Sequence, residues 1–447
     1  MRRPHPERRP PDPLAGIEIS PEYERVRSLV EAGAPVVFVS GRAGTGKSVL
    51  VQYLRHVLQG NIAVLAPTGV AALNVGGVTI HSFFRLPPHV ITRDDIKRVA
   101  DRRLYTALNV LLIDEVSMVR ADVLDGIGAF LALNGPDDTK PFGGVQLVLV
   151  GDLFQLPPVV DRAEQRVLTG RYASPFFFSA EVLQKLQLYP VELTKVYRQA
   201  DAEFVALLDQ VRAAKDVESV LDRINAACAP RQDQPAAITL TCTNARADRI
   251  NSGRLAELPG PAAEFVGDTS GRFALEDAKL PSPLKLTLKP GSQVMFTKND
   301  EQHRWVNGTL GTVVGFKRGS VGVEIRGDHG NAVHDVQRVT WETYKYEYDE
   351  RDERIKATVA GSYTQVPLML AWAVTIHKGQ GKTLEKVRID LGRGAFEAGQ
   401  VYVALSRCRS LADITLTRPI QPQEVRCDER IRRFQQAIAD GLARNDP

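Results

Sequence analysis

The chain is poor in cysteine and lacks long apolar runs, and each shortage argues against a class of protein. Its 447 residues include only Cys228, Cys242, Cys408 and Cys427, which form no CxxC pair and no spacing typical of metal ligands. We therefore expect buried, reduced thiols in a cytosolic protein, and no metal held by the chain itself. No uninterrupted apolar run reaches the roughly 18 residues that a membrane-spanning helix needs, which argues against a membrane protein.

A large excess of one charge is also missing. The chain has 57 Lys and Arg against 53 Asp and Glu, so its net charge of +4 does not by itself indicate a nucleic-acid partner. Residues 1–19 are Arg-rich, but they lack the apolar core of a secretion signal, and their prolines prevent an amphipathic helix. We expect a disordered basic arm there. Residues 85–105 carry six Arg and Lys against three Asp; a solvated helix face and a phosphate-facing surface both fit that excess.

What the chain does have is a repeated alternation of short apolar runs with helical patterns. The runs VVFVS, NIAVLAP, VLLID and VQLVLVGD are each followed by a loop or an acidic residue, which is typical of parallel strands covered on both faces. Later strands are broken by glycine turns, which favours a small antiparallel barrel. The predicted class is α/β, with a first domain over 20–190, a second over 191–290 and 366–430, an inserted barrel over 291–365, and a C-terminal helix and tail over 431–447.

The strongest chemical motif is GRAGTGKS at 41–48, which follows a strand and opens a helix. Its glycines let the backbone turn N–H groups towards phosphate oxygens, and the helix adds the positive end of its dipole. Lys47 can reach the β- and γ-phosphates of a nucleotide, and the Ser48 hydroxyl can ligate Mg²⁺. The predicted nucleotide-binding residues of this loop are Gly41, Ala43, Gly44, Thr45, Gly46, Lys47 and Ser48.

Catalytic candidates follow the other strands of the first domain. Asp114 ends the run VLLID, where its carboxylate can hold Mg²⁺ through water, and Glu115 beside it can orient and deprotonate an attacking water. Gln155, in GDLFQLPP, is either a sensor of the γ-phosphate or an amide that caps its own loop. Arg198 and Arg407 lie near element ends, where both a surface salt bridge and a contact to the γ-phosphate fit.

Eight segments, in this order, resemble the PIF family of superfamily-one helicases, over about residues 36–416. They are GRAGTGKS, APTGVAALNVGGVTIHSFF (66–84), LLIDEVSM, PFGGVQLVLVGDLFQLPPV (141–159), LTKVYRQ (193–199), CTNARADRIN (242–251), AWAVTIHKGQGKTLEKVRIDLG (371–392) and VYVALSRCRS (401–410). The resemblance implies an ATP- and Mg²⁺-dependent helicase that moves 5′ to 3′ on single-stranded DNA. It also implies two RecA-like domains with the nucleotide between them, and a Src-homology-like barrel inserted in the second.

The resemblance further assigns roles residue by residue. Glu115, Gln155, Arg198 and Arg407 are the implied catalytic residues, and Asp114 and Gly381 join the nucleotide site. The implied DNA contacts are Thr68, Gly69, Val70, His81, Phe83, Thr375, His377 and Lys378; we expect one of Phe83 and Phe84 to face a base. The family often carries a glutamine that reads adenine before the P-loop, but ISPEYERVRS has none, and Gly379 stands where a serine is common.

We expect a monomer in the cytoplasm, associated with the nucleoid, acting on forks, G-quadruplexes or RNA–DNA hybrids in replication, repair or telomere maintenance. The fork-opening wedge is either the 85–105 segment or the barrel. Two other functions fit the same residues. One is an RNA-directed helicase, since no residue visibly reads a 2′-hydroxyl. The other is a DNA-dependent ATPase that acts as a single-strand-binding fork remodeller.

Overall fold

The structure is a computed structural model that describes residues 17–199, 201–230, 237–273, 280–327 and 330–445. None of the helices described there is both long and apolar enough to cross a bilayer. The predicted basic arm lies mostly outside the described residues, but its last residues do not fit the prediction of disorder, because Glu18 accepts hydrogen bonds from the Lys195 ammonium at 2.6 and 2.7 Å.

The first domain is built on six parallel strands in the spatial order β3-β2-β4-β5-β1-β6. The strands are β1 Val36–Gly41, β2 Ile62–Ala66, β3 Val78–Thr79, β4 Val110–Ile113, β5 Gln146–Gly151 and β6 Leu188–Leu193. The helices are α1 Pro21–Glu31, α2 Lys47–Val57, α3 Gly69–Asn74, α4 Ile80–Phe84, α5 Arg103–Thr106, α6 Ala121–Asn134 and α7 Arg162–Arg171. Alternate residues of β1 enter different cores, Val36 and Phe38 on one face and Val37 and Val39 on the other, so the sheet is covered on both sides as predicted.

The second domain starts with α8 Ala202–Ala213, α9 Val217–Ala227, β7 Ile238–Thr241 and α10 Asn244–Glu257. The Asp201 carboxylate caps the start of α8, where it accepts hydrogen bonds from the N–H groups of Glu203 and Phe204. Strands of the insertion follow, and the chain then returns to this domain.

In the described residues of the insertion, the regular elements are all strands. Its strands are β8 Ala263–Val266, β9 Asp268–Gly271, β10 Lys285–Leu288, β11 Gln293–Phe296, β12 Leu310–Lys317, β13 Ser320–Gly327, β14 Gly330–Gln337, β15 Val339–Asp349, β16 Arg354–Gln365 and β17 Leu368–Leu370. The five-stranded sheet β14-β13-β12-β11-β17 shares one apolar core with the pair β10-β8. The strands β15, β16 and β9 form a separate sheet.

The second domain is completed by β18 Ala373–Thr375, α11 Ile376–Gly379, β19 Val387–Asp390, α12 Gln400–Leu405 and β20 Ile414–Leu416, and the chain continues into α13 Glu429–Asn445. Its four strands are parallel, in the order β18-β7-β19-β20. Helix α13 crosses back to the first domain, where the Phe434 ring stacks on Phe178 at 4.3 Å between centroids.

Three predicted boundaries are wrong, and strand pairing is the reason in each case. The first domain extends past residue 190, because β6 pairs with β1 up to Leu193. The insertion begins near 263 rather than 291, since β8 and β10 complete the barrel core and β9 pairs with β16. It ends near 370 rather than 365, because β17 pairs with β11.

The β15–β16 hairpin projects from the insertion onto the first domain. The Tyr346 hydroxyl accepts a hydrogen bond from the Val64 N–H at 3.0 Å, and the Ile355 N–H donates to the Asn61 side-chain oxygen at 2.8 Å. Residues 85–105, predicted as a helix face or a phosphate-facing surface, form no long helix: they hold one 3₁₀ turn and the four-residue α5.

Candidate functional site

The P-loop lies between the end of β1 and the start of α2, as predicted. Gly44 and Gly46 have φ values of +83° and +84°, in the left-handed region that favours glycine, which turns the loop back on itself. The Lys47 ammonium donates to the carbonyl oxygens of Gly41 and Arg42, both at 2.8 Å. Burial lowers the pKa of Lys47, although nearby carboxylates oppose that shift. The lysine is therefore held inside the phosphate-binding loop.

The acidic pair after β4 faces this loop. The Ser48 hydroxyl donates to Asp114 at 3.1 Å, and the other Asp114 oxygen accepts the Glu115 N–H at 2.8 Å. Burial raises the pKa of Asp114, and burial together with the Asp114 charge raises the pKa of Glu115 to about 7. Among the described residues no three His, Cys, Asp or Glu side chains form a metal site, so a cation here needs phosphate oxygens besides Ser48 and Asp114.

A cavity of about 650 Å³ lies on the seam between the two α/β domains. It is lined by most of the predicted nucleotide and catalytic residues, namely Ala43, Gly44, Gly46, Lys47, Ser48, Glu115, Gln155, Arg198, Gly381 and Arg407. It is also lined by residues that sequence reasoning missed: Ile17, Glu18, Tyr23, Val49, Tyr197, Thr383 and Arg409. Thr45, by contrast, is buried, and its hydroxyl donates to the Arg42 carbonyl, so only its backbone is left for phosphate.

The two predicted motor arginines meet at this seam. Arg198 donates to the Ser406 carbonyl at 3.1 Å and to the Thr383 hydroxyl at 3.0 Å, and Arg407 donates to the Val403 carbonyl at 2.8 Å. Burial, and next the Arg198 charge, lower the pKa of Arg407 to about 9. Arg407 is only 1 % exposed, and both guanidinium groups donate to backbone carbonyl oxygens rather than to carboxylates of the described residues. The alternative of a surface salt bridge is therefore wrong for both.

Gln380, which directly follows α11, connects the second domain to the catalytic residues of the first. Its side-chain amide donates to Glu115 at 3.3 Å and to the Gln155 oxygen at 3.2 Å. The Gln155 amide in turn donates to Asp152 at 3.3 Å, so Gln155 is held from both domains. The sequence placed Gln380 in a recognised motif, but it gave no sign that this amide reaches Glu115.

Asp152 anchors the far end of this hydrogen-bond chain. Its carboxylate is fully buried and accepts from Arg212 at 3.0 Å and from the Tyr402 hydroxyl at 3.1 Å. Burial alone would raise the pKa of Asp152, but the charges of Arg212 and Lys47 outweigh it, and the pKa is lowered. The Tyr402 hydroxyl also accepts the Ala43 N–H at 3.0 Å, so one phenol joins the P-loop to the second domain.

Two tyrosines line the cavity beside the P-loop. One of them, Tyr23, belongs to the stretch ISPEYERVRS, which lacks the adenine-reading glutamine of the family. The Tyr23 hydroxyl donates to the Gly46 carbonyl at 2.7 Å. Tyr197 is 45 % exposed, and its backbone N–H donates to the Gly44 carbonyl at 2.9 Å. This part of the cavity therefore presents aromatic rings beside the phosphate loop.

The predicted DNA contacts fall into two sets, one on each domain. Thr68 caps α3 and Thr375 caps α11, each hydroxyl accepting the N–H three residues later at 3.2 Å. The first N–H groups of α3 belong to Gly69 and Val70 and have no partner within the helix. On the second domain Lys378 is exposed, and the His377 ring lies 3.2 Å from the Glu397 carboxylate.

The structure contradicts one of these predictions. Phe83 and Phe84 are 5 % and 1 % exposed, and the Phe83 ring packs edge-on against Phe84, Tyr105 and Tyr346. Neither ring is free to stack on a base, because both complete an aromatic core under the β15–β16 hairpin. His81 is partly buried on the same helix, and burial lowers its pKa, with a smaller effect of Arg120. Its imidazole is thus biased towards the neutral form.

Comparison with known proteins places this geometry in context. A family description, PIF1-like helicase, matches residues 22–225. The chain is 35% identical over 440 residues to the human protein named ATP-dependent DNA helicase PIF1, a match that covers 96% of this chain and 65% of that protein. The chain thus spans just under two thirds of the length of this curated relative.

Two solved structures with 34% sequence identity are similar to this chain over nearly its whole length. Unliganded Pif1 from Bacteroides sp. has a TM-score of 0.84 and covers 94% of this chain and 97% of its own. Bacteroides Pif1 in complex with ADP-AlF3 and ssDNA has a TM-score of 0.68, covering 95% and 98%. The likeness confirms the predicted class of two RecA-like domains with a β insert in the second.

Proposed function

The chain belongs to the PIF1-like helicase family, and from that premise we propose that it is an ATP-dependent DNA helicase. It moves 5′ to 3′ along single-stranded DNA and separates the duplex ahead. One observation carries the proposal: a single cavity on the seam is lined by the P-loop and Glu115 of the first domain and by Gly381 and Arg407 of the second. Hydrolysis in such a cavity depends on how the two domains sit.

The groups around the cavity divide the work of phosphoryl transfer. The P-loop N–H groups and the Lys47 ammonium, released from its loop carbonyls, bind the β- and γ-phosphates. Glu115 orients the attacking water and accepts its proton, while the Gln155 amide contacts the water or the γ-phosphate. Arg198 and Arg407 approach the γ-phosphate from the other side and stabilise the charge that develops on its oxygens.

A Mg²⁺ ion fits this site, because the Ser48 hydroxyl and the buried Asp114 carboxylate already lie 3.1 Å apart beside the loop. Ser48 would hold the ion directly, and Asp114 would hold it through water. When bound, the ion neutralises charge on the β- and γ-oxygens. Without it, the buried carboxylates and the phosphates would repel each other.

The strand runs over both domains, along Thr68, Gly69 and Val70 on the first and Thr375, His377 and Lys378 on the second. Alternate closure and opening of the seam moves one set of contacts relative to the other, and this displaces the strand. Opening a base-pair step costs roughly 1.4 kcal/mol. Stacking each freed base on an aromatic side chain returns about 1–3 kcal/mol, so grip can trap opened pairs while ATP supplies direction.

We further propose that the protein acts as a monomer, because both halves of the ATPase site lie in one chain. Its proposed substrates are forks, G-quadruplexes and RNA–DNA hybrids.

Unwinding of forked DNA with only a 5′ tail or only a 3′ tail, in the presence of ATP and Mg²⁺, tests the proposed polarity. We expect separation of the 5′-tailed fork alone; equal action on both tails would reject the polarity. Separation of a 5′-tailed RNA duplex but not the DNA duplex would favour an RNA-directed helicase. ATPase activity stimulated by DNA without separation would favour a fork remodeller.

The Lys47→Ala variant separates the two parts of the proposal. We expect it to abolish ATP hydrolysis and to leave single-strand affinity largely intact, since Lys47 faces phosphate and not the DNA edge. Loss of DNA binding with hydrolysis retained would contradict the division. Arg198→Ala and Arg407→Ala should each slow turnover in a folded protein.

A further inference from the structure

Phe396 is the one exposed phenylalanine in the part of the chain that the structure describes. Its side chain lies in the loop between β19 and α12, and the residue is 52 % exposed. It stands between the recognised segments 371–392 and 401–410, so no motif accounts for it. The part of the side chain that faces solvent offers an aromatic surface to a planar ligand.

The loop that carries Phe396 is held by hydrogen bonds on both sides of the residue. The Phe396 N–H donates to the side-chain oxygen of Gln400, a fully buried residue, at 3.0 Å. The Arg426 guanidinium donates to the Phe396 carbonyl at 3.2 Å, and the preceding Ala395 N–H donates to the Glu424 carboxylate at 3.1 Å. The exposed ring is therefore displayed by a fixed backbone.

Strand register brings this loop to the DNA-facing edge of the second domain. Thr375, the last residue of β18, and Asp390, the last residue of β19, are both in register with Thr241 of β7. Because the three strands are parallel, the loops that follow them leave the same edge of the sheet. The residue after Phe396, Glu397, lies 3.2 Å from the His377 ring.

The charges at this edge suit a phosphodiester strand. Asp390 pairs with Arg246 and Glu424 pairs with Arg418, both at 2.6 Å. The Glu397 carboxylate faces the His377 ring. Arg246 is itself half-exposed, and the Lys378 side chain is open to solvent. Cations beside an exposed ring form the combination that non-specific single-strand sites use, since every base has a face that can stack.

We propose that Phe396 is a base-stacking platform of the second domain, which holds one base of the bound strand beside His377 and Lys378. This inference rests on the proposed function, because it takes single-stranded DNA as the ligand. It replaces the platform that Phe83 cannot supply. Base–aromatic stacking at such sites changes affinity by about 5- to 150-fold when the ring is removed.

The experiment measures binding of a fluorescein-labelled oligothymidylate by the full chain and by Phe396→Ala, Phe396→Tyr and Val333→Ala. Val333 is a matched control, since it is an exposed apolar residue of the barrel. A second probe has the same length but abasic sugars at every position. We expect about 5- to 150-fold weaker binding of the thymidylate by Phe396→Ala, retention by Phe396→Tyr and Val333→Ala, and equal binding of the abasic strand by all four.

Other results would contradict either the stacking role of Phe396 or the proposed function. Unchanged thymidylate affinity in Phe396→Ala, or an equal loss on the abasic strand, would overturn the stacking role. Failure of the unaltered chain to bind the thymidylate would instead refute DNA as its ligand, and with it the proposed function. A Phe396→Trp variant gives an independent signal, since its added fluorescence should change when thymidylate binds but not when the abasic strand does; no difference between the probes would also count against stacking.

Discussion

The side-chain amide of Gln380 lies 3.3 Å from the carboxylate of Glu115, although the two residues belong to different domains. Gln380 directly follows the short helix that carries His377 and Lys378, whose N-terminus is capped by Thr375. A displacement of that helix by DNA therefore moves a hydrogen-bond donor at the candidate base. The amide is placed to link DNA contact with hydrolysis.

Replacing Gln380 by Leu should uncouple the two activities. A hydrogen bond to a charged group contributes about 1.5–3 kcal/mol, so we expect DNA-stimulated ATP turnover to fall by about tenfold or more. Single-strand affinity should stay close to that of the unaltered chain. Gln423→Leu, at an exposed glutamine of the second domain, serves as the control. Normal stimulation by DNA in Gln380→Leu would show that the amide is not part of the link.

Replacing Tyr402 by Phe should weaken nucleotide binding. The substitution removes the hydroxyl that accepts the Ala43 N–H and donates to Asp152, both buried groups. Asp152 keeps its other donors, but the Ala43 N–H of the P-loop is left unpaired, which costs about 1–3 kcal/mol and predicts about 5- to 150-fold higher KM for ATP. The KM is measured by steady-state ATP hydrolysis at saturating DNA. Tyr189→Phe is the control, because Tyr189 packs against the apolar core of the first domain. A KM equal to that of the control would refute the role of this hydroxyl.

Gly399 is expected to be intolerant of even one added carbon. Its φ is +77°, and a Cβ would stand 2.4 Å from the Gln155 carbonyl oxygen and 2.5 Å from that of Phe154. Gly399→Ala should therefore push the two domains apart and lower ATP turnover. The affinity of the protein for single-stranded DNA should not change, because the DNA contacts lie on each domain away from Gly399. Gly253→Ala, on α10 with nothing near its Cβ, should be neutral or stabilise by about 0.5–1 kcal/mol. Thermal unfolding and turnover of the two variants make the comparison, and equal turnover would contradict the close fit.

Lys382 lies four residues after the implied DNA contact Lys378, and we expect its amine to bind a DNA phosphate and to give DNA binding a pH dependence. Burial, and next the charge of Lys378, lower the pKa of Lys382 to about 8. Phosphates favour the charged amine, so affinity should be full below pH 8 and decline as the pH rises through that value. Binding of an oligothymidylate between pH 7 and pH 9 measures the slope. Lys382→Arg stays charged over this range, so the DNA affinity of that variant should depend less on pH. An unchanged pH dependence in Lys382→Arg would show that another group titrates.

Local patterns predicted the parts of this protein that depend on neighbours in sequence. The buried strands, the P-loop between β1 and α2 and the acidic pair after β4 each follow from burial period or backbone hydrogen bonding within a few residues. The family resemblance added the roles of Arg198 and Arg407, which spacing alone had left open. The domain boundaries were less accurate because strands pair across long separations.

Tertiary structure alone decided what meets across the seam and which aromatic rings reach solvent. Tyr402 reaches Ala43, and Arg212 reaches Asp152, only because helices of the second domain lie against loops of the first. Phe83 and Phe396 have the same side chain, yet the first is buried under a hairpin from another domain and the second is exposed. The spacing of apolar residues along the sequence indicates whether a helix or strand has an apolar face. What covers that face is fixed by the packing of segments far apart in the chain.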